Sequence, residues 1–314
     1  MDILTITTCP ACRARLQAYQ DGMKCVDCHN VYSIRHGFLN LMVPAHDPFR
    51  DTEEEFWNYA YTQEGERAVQ NRNSYFHHHF RKPLIGLPHG SLVLELGCGN
   101  RADALEIAQS GHQVIETDIS WQALQYSKKL AEKNGAVQNS HYVLAEAEHL
   151  PFGDHVFDGV LIAAALHHLS DPLNGLKEMA RVVKPGGYII LGVEPNKWPY
   201  LTIYRLLSPL KRYIRRKRQR HVDSIADDQT EGFSKNDLKK LCHLANLRIV
   251  EILPVKFFTE IYDSYIRLKN RLTTKNNASS ARIVNALTKA DIALSRIPLI
   301  NNLAWHWNVI AKVQ

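Results

Sequence analysis

The 314-residue sequence lacks any long hydrophobic segment. Its longest uninterrupted apolar stretches, such as residues 160–166, fall far short of the roughly 18 residues that a membrane-spanning helix needs. The beginning of the chain also lacks the basic and apolar regions of a secretory signal peptide, and the chain contains no internal repeat or low-complexity tract. We therefore expect a cytosolic (cytoplasmic) protein, or one that lies peripherally on a membrane surface.

Cysteine is scarce as well, and four of the six cysteines are clustered near the N-terminus. Cys9 and Cys12 form one C-x-x-C pair, and Cys25 and Cys28 form another after a gap of twelve residues. In a cytosolic chain this arrangement favours a metal site over disulfide bonds. Two such pairs supply the four thiolates of a closed, structural zinc site. A redox C-x-x-C is the alternative, but no strand–helix unit surrounds either pair.

The predicted zinc ribbon occupies residues 1–45, with short strands at 16–19 and 31–41, and holds so few apolar residues that it needs the ion to fold. A helical connector is expected at 46–90. The histidine triplet at 77–79 is not expected to bind one metal ion, because adjacent side chains on a helix point in different directions. The expectation of a helical connector rests on four residues that recur at helical spacing, namely Phe56, Trp57, Ala60 and Tyr61.

From residue 91 onward, apolar runs alternate with helical patterns, which predicts a parallel sheet with helices on both faces. Asp171-Pro172 and the capping box Ser234-x-x-Asp237 open two of the helices, and Lys184–Gly187 is expected to turn from a helix into the next strand. Helical insertions are predicted at about 197–232 and 258–302. In chain order, the predicted elements span residues 92–96, 102–109, 113–117, 121–133, 142–144, 159–164, 173–183, 188–193, 234–244, 248–253 and 305–313.

Two of the apolar runs end in residues that suit a nucleoside. The first contains Glu95 and is followed by two closely spaced glycines, Gly97 and Gly99, which let backbone amides approach a ligand. The second ends in Asp118, whose two acceptor oxygens can hold the hydroxyls of a ribose. The spacing Glu-x-Gly-x-Gly differs from the Gly-x-Gly-x-x-Gly of dinucleotide binders, and it indicates S-adenosylmethionine rather than NAD.

Six segments together resemble the class I S-adenosylmethionine-dependent methyltransferases, in particular the small-molecule subgroup that contains enzymes of ubiquinone and menaquinone biosynthesis. The resemblance implies an α/β fold over residues 91–314, with a Rossmann-like, seven-stranded, mostly parallel sheet and helices on both faces. It also implies enzymatic methyl transfer. The segments follow the family's order and spacing: Leu94–Gly99, Thr117–Ser120, Ala145–Phe152, Phe157–Asp158, Leu166–Leu169 and Arg181–Gly187.

The same resemblance implies where the cofactor S-adenosylmethionine binds. Its contacts comprise the loop under the methionine part, the ribose site, the adenine edge and the methyl-transfer cleft. Arg101 stands where the family often has a third glycine, so it either pairs with the cofactor carboxylate or points to solvent. Glu95, Gly97 and Gly99 would form the loop, and Asp118 would hold the ribose, with Ile119 beside it also in contact with the cofactor. Glu146 and Ala147 would face the adenine edge, and Ala163 would line the methyl-transfer cleft.

A candidate base follows the fourth strand of this domain, where His167 and His168 lie next to the expected transfer site. Methyl transfer from a sulfonium is a direct displacement, so positioning supplies most of the catalysis. A base is needed only where the nucleophile must lose a proton, and histidine suits that task. One of the two histidines is therefore the catalytic candidate, and Glu194 either orients it or contacts the substrate.

The acceptor we favour is a small molecule, such as a hydroxyl of a glycosidic or lipid-linked metabolite, because the two insertions lie where the acceptor is normally covered. The basic segment Lys211–Arg220 suits a solvated helix face or a membrane surface. RNA is an alternative substrate. It is favoured by the same basic segment and by the zinc ribbon, since Cys9–Leu41 resembles the small zinc-ribbon partners of tRNA and release-factor methyltransferases. A catalytically inactive, methyltransferase-like partner protein is the alternative from another class.

Overall fold

The computed structural model describes residues 3–64, 74–99, 103–199, 201–202, 224–226, 231–273 and 279–314. Arg101, Lys211–Arg220 and most of the insertion predicted at 197–232 lie outside the described residues.

The chain alternates strands and helices after a short N-terminal unit of strands. The strands are β1 Leu16–Tyr19, β2 Gly22–Cys25, β3 Val31–Tyr32, β4 Ile34–Arg35, β5 Phe38–Asn40, β6 Leu92–Leu96, β7 Gln113–Asp118, β8 Ser140–Leu144, β9 Phe157–Ala163, β10 Val183–Pro195, β11 Leu247–Val255 and β12 His306–Val313. The helices are α1 Pro48–Glu64, α2 Ser74–Ile85, α3 Asp103–Gln109, α4 Trp121–Lys133, α5 Pro172–Val182, α6 Lys235–Leu244, α7 Phe258–Thr273 and α8 Ala281–Ser295. Shorter helical turns cover Leu166–His168, Lys197–Pro199 and Pro298–Leu303.

One large sheet forms the centre of the protein, with the strand order β11-β12-β10-β9-β6-β7-β8-β5-β4. Strands β5 to β10 pair in parallel within it, whereas β12 is antiparallel to both of its neighbours. The chain leaves β6 towards β7 and β8 on one side and returns to β9 on the other. A ligand crevice is expected where the order reverses, outside the carboxyl ends of β6 and β9.

The predicted fold class is confirmed, and all seven strands expected from the methyltransferase-like segment are present. The sheet is nevertheless wider than expected, because β4 and β5 of the N-terminal unit extend it to nine strands. Strand β5 pairs in parallel with β8, with Leu39 opposite Val143 and Asn40 opposite Leu144. This pairing covers an edge that would otherwise expose unpaired backbone groups.

The N-terminal unit shares a core with the sheet. Leu16 and Tyr32 lie in the same buried cluster as Phe152 and Phe157 of the methyltransferase-like segment. The backbone N–H of Thr8 donates to the carbonyl of Pro151 over 2.9 Å, and that of Gly153 donates to Ile6 over 3.1 Å. A further ion pair joins Arg13, between the two cysteine pairs, to Glu178 on α5 at 2.9 Å. Apolar packing and backbone hydrogen bonds therefore both hold this unit against the sheet.

Local signals in the sequence explain several element boundaries. Asp171 caps α5, its side chain accepting from the backbone N–H groups of Leu173 and Asn174, and the capping box of Ser234 and Asp237 opens α6. The turn expected at Lys184–Gly187 does not interrupt the strand. It is an irregular stretch within β10, where the register with β9 shifts between Val183 and Tyr188 and Gly186 adopts a φ of +78°.

The second insertion is helical as predicted, with α7, α8 and the turn at Pro298–Leu303. Among the described residues, no helix combines the length and the apolar character that crossing a membrane requires.

One buried acid on the sheet affects how stability depends on pH. Glu116 on β7 is 1% exposed and accepts a hydrogen bond from the hydroxyl of Ser127 on α4. Burial raises its pKa to about 7, although the Ser127 hydroxyl acts in the opposite direction. The folded protein therefore retains a proton on Glu116 that the unfolded chain releases above its ordinary pKa of about 4.5.

A Glu116→Gln variant tests this interpretation. Glutamine keeps the shape and an acceptor for Ser127 but cannot ionise. As pH rises from about 4.5 to about 7, the wild-type fold loses stability through Glu116 and the variant does not. We therefore expect the urea midpoint of the variant, relative to wild type, to be higher at pH 8 than at pH 5. An equal difference at both pH values would show that Glu116 is not buried as a neutral acid.

Candidate active site

The loop after β6 is shaped for close approach of a ligand to the backbone. Gly97 and Gly99 have φ values of +60° and +55°, in the left-handed region that favours glycine. A side chain added at Gly97 would have its Cβ only 2.9 Å from the Cβ of Ala165. Beneath the loop, the buried carboxylate of Glu95 accepts from the backbone N–H of Ala104 over 3.1 Å. Glu95 therefore fixes the first turn of α3 relative to β6.

The acid at the end of β7 lies against this loop. Asp118 accepts from the backbone N–H of Gly99 over 3.0 Å through Oδ2 and from that of Ser120 over 2.8 Å through Oδ1. Burial raises the pKa of Asp118 to about 6, while the backbone N–H groups of Ser120, Gly99 and Ile119 favour its charged form. Each carboxylate oxygen has a further lone pair, so Asp118 can accept sugar hydroxyls without losing its backbone partners.

The acid after β8 has partners that the sequence analysis did not foresee. Glu146 accepts from the backbone N–H of Val43 over 2.8 Å and from the guanidinium of Arg50 over 3.0 Å. Both partners belong to the segment that leads from β5 into α1. Ala147 lies next to Glu146 and packs on the core. Contact of Glu146 and Ala147 with adenine stays a prediction, and Glu146 anchors the start of α1.

Helix α1 lies across the carboxyl edge of the sheet. The side-chain oxygen of Asn58 accepts from the Ser120 hydroxyl over 2.8 Å. The Tyr61 hydroxyl stands 2.7 Å from where a Cβ would be placed on Gly99, so this tyrosine covers the glycine loop. Trp57 stacks on Tyr61 with ring centroids 5.5 Å apart. Helical spacing identified this element, but nothing in one sequence showed which loops its aromatic face would cover.

The histidine pair lies on the other side of the crevice, in the turn after β9 that follows Ala163. The Nδ1 atom of His167 is 2.9 Å from Oε2 of Glu194, a fully buried residue near the end of β10. Glu194 also accepts from the backbone N–H groups of Ala165 and Leu166, each over 3.1 Å. A carboxylate only accepts, so it keeps the proton of His167 on Nδ1 and leaves Nε2 as the basic nitrogen.

His168 has a different carboxylate partner, which the sequence analysis missed. Its Nδ1 atom is 3.7 Å from Oε2 of Glu53 on α1, and its ring packs edge-on against Trp57 at 5.2 Å. Glu53 is 2% exposed and also accepts from the hydroxyl of Ser224 over 2.9 Å. Burial opposes its charge, but the nearby imidazole of His168 and hydrogen bonds from Ala226 and Ser224 lower the pKa of Glu53 below its usual value. The two histidine rings lie 4.2 Å apart.

A third histidine approaches this corner from β12. His306 is buried, which lowers its pKa to about 3 even though the charge of Glu260 favours its protonated form. The closest approach of the two side chains is 4.0 Å. Burial thus favours the neutral form of His306, and the neighbouring Glu260 pairs with Lys256 at 3.1 Å and with Arg267 at 2.6 Å.

The four clustered cysteines converge within the N-terminal unit. The sulfur atoms of Cys9, Cys12, Cys25 and Cys28 all lie within 4.8 Å of one another, with Cys9–Cys28 at 3.6 Å and Cys12–Cys25 at 3.4 Å. Thiolates around one zinc ion at a bond length of about 2.3 Å are separated by about 3.8 Å, so the four sulfurs fit such an ion. The hydroxyl of Tyr32 lies 3.1 Å from the Cys9 sulfur.

The histidine triplet on α2 is engaged elsewhere. His77 contacts Asp103 at 2.9 Å, His78 contacts Glu106 at 3.0 Å, and His79 is 3.7 Å from Glu251. The three imidazoles point to three different places. Within the described part of the chain, the cysteines form the one group of histidine, cysteine or acidic side chains close enough to hold an ion.

Part of the chain that forms this crevice is similar to known methyltransferases. Residues 94–191 match the family model described as "Methyltransferase domain". The chain is 38% identical over 109 residues to the ubiquinone/menaquinone biosynthesis C-methyltransferase UbiE of Haemophilus ducreyi, covering 34% of this chain and 42% of that protein. It is 32% identical over 135 residues to a demethylmenaquinone methyltransferase of Mycobacterium sp., covering 42% and 55%. The chain thus spans about half the length of these relatives.

Solved structures agree on the fold. The [4+2]-cyclase SpnF superimposes with a TM-score of 0.59 at 16% identity, covering 87% of this chain and 98% of that one. The phosphoethanolamine N-methyltransferase 2 of Haemonchus contortus, in complex with S-adenosyl-L-methionine, gives 0.55 at 17% identity, covering 86% and 60%. Likenesses at such low identity show the architecture alone. Residues 94–191 are therefore similar to a methyltransferase domain, and the α/β fold around them is shared with these solved structures.

Proposed function

We propose that this protein is an S-adenosylmethionine-dependent methyltransferase that acts on a small molecule by direct displacement. The observation that carries the proposal is the meeting, at one edge of the sheet, of the Gly97–Gly99 loop, the acid Asp118 and the pair His167–Glu194. The loop and the acid suit a nucleoside, and the histidine suits an acceptor that must lose a proton. The matched domain over residues 94–191 contains the loop, the acid and the histidine.

The cofactor half of the site is assigned to β6, β7 and β8. Gly97 and Gly99 offer open backbone beside α3, Asp118 accepts the ribose hydroxyls, and Glu146 with Ala147 borders the adenine. S-adenosylmethionine supplies an activated methyl group on sulfur. Tyr61 and Asn58 on α1 lie over the loop and the start of α4, so this helix excludes water from the crevice.

The acceptor half is assigned to the ends of β9 and β10. With its proton held on Nδ1 by Glu194, His167 offers Nε2 to the hydroxyl of an acceptor. Removal of that proton makes an oxygen nucleophilic, and in a phenol or quinol it also makes the neighbouring ring carbons nucleophilic. The names of the two curated relatives refer to quinone biosynthesis, which supports an acceptor of this second kind.

The alternatives receive less support. Both relatives are named for small-molecule biosynthesis rather than for RNA. The segment Lys211–Arg220, on which RNA or membrane contact was predicted, lies outside the described residues. An inactive partner protein is disfavoured because Asp118 and the pair His167–Glu194 are in place.

The four cysteines are proposed to hold one structural zinc ion. With all four positions filled by protein, the ion would not take part in methyl transfer. Its role would be to fix the two cysteine pairs and, through Tyr32 and the following strands, the start of α1. The distances among the four sulfurs support this assignment.

The ribose assignment is tested by calorimetry with S-adenosylmethionine. Asp118→Asn should weaken binding by about tenfold or more, because hydrogen bonds to a charged acceptor are lost. Wild-type affinity should be constant above pH 6 and fall below it. Below pH 6 the carboxyl group of Asp118 is protonated in the free protein and must release this proton before it can bind the ribose in its charged form. The variant should lose this pH dependence.

A matched control lies on the same strand. Glu116→Gln changes a buried acid two residues before Asp118 without touching the edge of the sheet, and it should bind the cofactor like wild type. Equal affinity of Asp118→Asn and wild type would contradict the ribose assignment.

The base assignment is tested by separating turnover from cofactor binding. His167→Gln should lower turnover with a quinol or phenol acceptor by about a hundredfold or more, because general-base catalysis is lost. Its affinity for S-adenosylmethionine should stay within about twofold of wild type. Glu194→Gln should shift the pH profile of turnover, since the amide no longer fixes the Nδ1 proton. His168→Gln is the comparison, and a larger loss in that variant than in His167→Gln would reverse the assignment.

The zinc assignment is tested by metal analysis of the purified protein. We expect one zinc ion per chain in the wild type and in Cys242→Ser, whose thiol is buried on α6 and does not belong to the four-cysteine group. Cys12→Ser should lose the ion and melt at a lower temperature. Cys12 is exposed, so lost packing cannot account for that result. Metal-free wild-type protein with an unchanged melting temperature would contradict the assignment.

A further inference from the structure

Three parts of the chain meet beyond the carboxyl ends of β10 and β11. The backbone N–H of Asn196 donates to the carbonyl of Trp305 over 2.9 Å, and that of Trp305 donates to Lys256 over 3.0 Å. The side-chain amide of Asn196 also donates to the carbonyl of Asn302 over 3.2 Å. These bonds bring the turn at Lys197–Pro199, the start of α7 and the turn before β12 together.

Each of the three parts presents large apolar side chains to solvent. We call them the apolar rim, and their exposed fractions are 54% for Trp198, 47% for Phe258, 55% for Ile261, 94% for Leu299 and 53% for Leu303. Isolated exposed apolar residues are ordinary, but several from three converging segments form a patch of the kind that marks an interaction site.

The apolar rim borders the acceptor half of the crevice. Strands β10 and β11 both run antiparallel to β12, so their carboxyl ends lie on the same edge of the sheet as the Gly97–Gly99 loop. Glu194, which holds His167, is four residues before Trp198 in the chain. A molecule bound to the rim is therefore next to the proposed base.

The charge around the rim is predominantly positive. Residues 258–302 contain seven basic and three acidic residues. The three acids are withdrawn from the surface: the side chain of Glu260 is 13% exposed, and Asp263 and Asp291 are buried at 7% and 0%. The basic residues Arg282, Lys289 and Arg296 are exposed. The insertion therefore presents cationic side chains beside apolar ones.

The same bias holds in the sequence of the first insertion, which begins at the rim. Residues 197–232 contain nine basic and four acidic residues, whereas the chain outside both insertions has 22 basic and 25 acidic residues. The positive charge of the protein is thus concentrated in the two segments that carry Trp198, Phe258 and Leu299. A second copy of this chain would bring like charges together, which opposes self-association through this surface.

We propose that the apolar rim docks onto a lipid bilayer that carries anionic headgroups. The tryptophan, phenylalanine and leucine side chains enter the interface, while lysine and arginine side chains contact the headgroups. The docking rests on surface residues rather than on the proposed methyl transfer. Only the purpose of docking rests on the proposed methyl transfer, because docking would let an apolar acceptor enter the crevice directly from the membrane.

The test measures binding of the full chain to vesicles of phosphatidylcholine, with and without phosphatidylglycerol, by co-sedimentation. The rim variant is Leu299→Ser combined with Leu303→Ser. The control combines Leu244→Ser and Val137→Ser, which are 49% and 41% exposed and precede β11 and β8 at the opposite edge of the sheet. Calorimetry with S-adenosylmethionine is run on every protein, so that failure of docking and failure of the proposed function are distinguished.

We expect wild type and the control variant to bind vesicles that contain phosphatidylglycerol and to be released by salt. The rim variant should bind them at least about tenfold more weakly, because two leucine side chains no longer enter the interface. Its cofactor affinity should be unchanged. Absence of wild-type binding to anionic vesicles, equal binding of the rim and control variants, or a wild-type dimer that the rim variant abolishes would each overturn the proposal.

Discussion

The reversal of strand order between β6 and β9 is the constraint on which the candidate site depends. Because β6 pairs in parallel with β7 on one side and with β9 on the other, the loops after these strands diverge and leave a crevice. The same reversal places the glycine loop and Asp118 on one wall and the turn with His167 on the other. Chemistry between a nucleoside cofactor and an acceptor needs two such walls.

The N-terminal unit completes this crevice instead of standing apart from it. Strand β5 joins the sheet beside β8, and Glu146 then binds Val43 and Arg50 at the entry to α1. Helix α1 continues over the edge of the sheet, where Tyr61 covers the glycine loop and Glu53 approaches the second histidine. In this account, the cysteine cluster acts on the site through the placement of a single helix.

Local patterns predicted the central elements well. The strand at Leu92–Leu96 and the helix at Trp121–Lys133 have the predicted bounds, because continuous apolar runs and capping residues are decided by neighbours in sequence. The contacts that the sequence did not predict depend on residues that are distant in the chain. The pairing of β5 with β8, the approach of Glu53 to His168 and the pairing of His306 with Pro195 join residues more than a hundred positions apart. No periodicity in a single sequence records such contacts.

The most direct test of the central claim is a crystal structure of the full chain with S-adenosylhomocysteine at saturating concentration. The account predicts the nucleoside in the crevice between β6 and β9, with both ribose hydroxyls within hydrogen-bond distance of Asp118 and the amino-acid part beside Gly97 and Gly99. A crevice without the nucleoside, or a ribose bound away from Asp118, would contradict it.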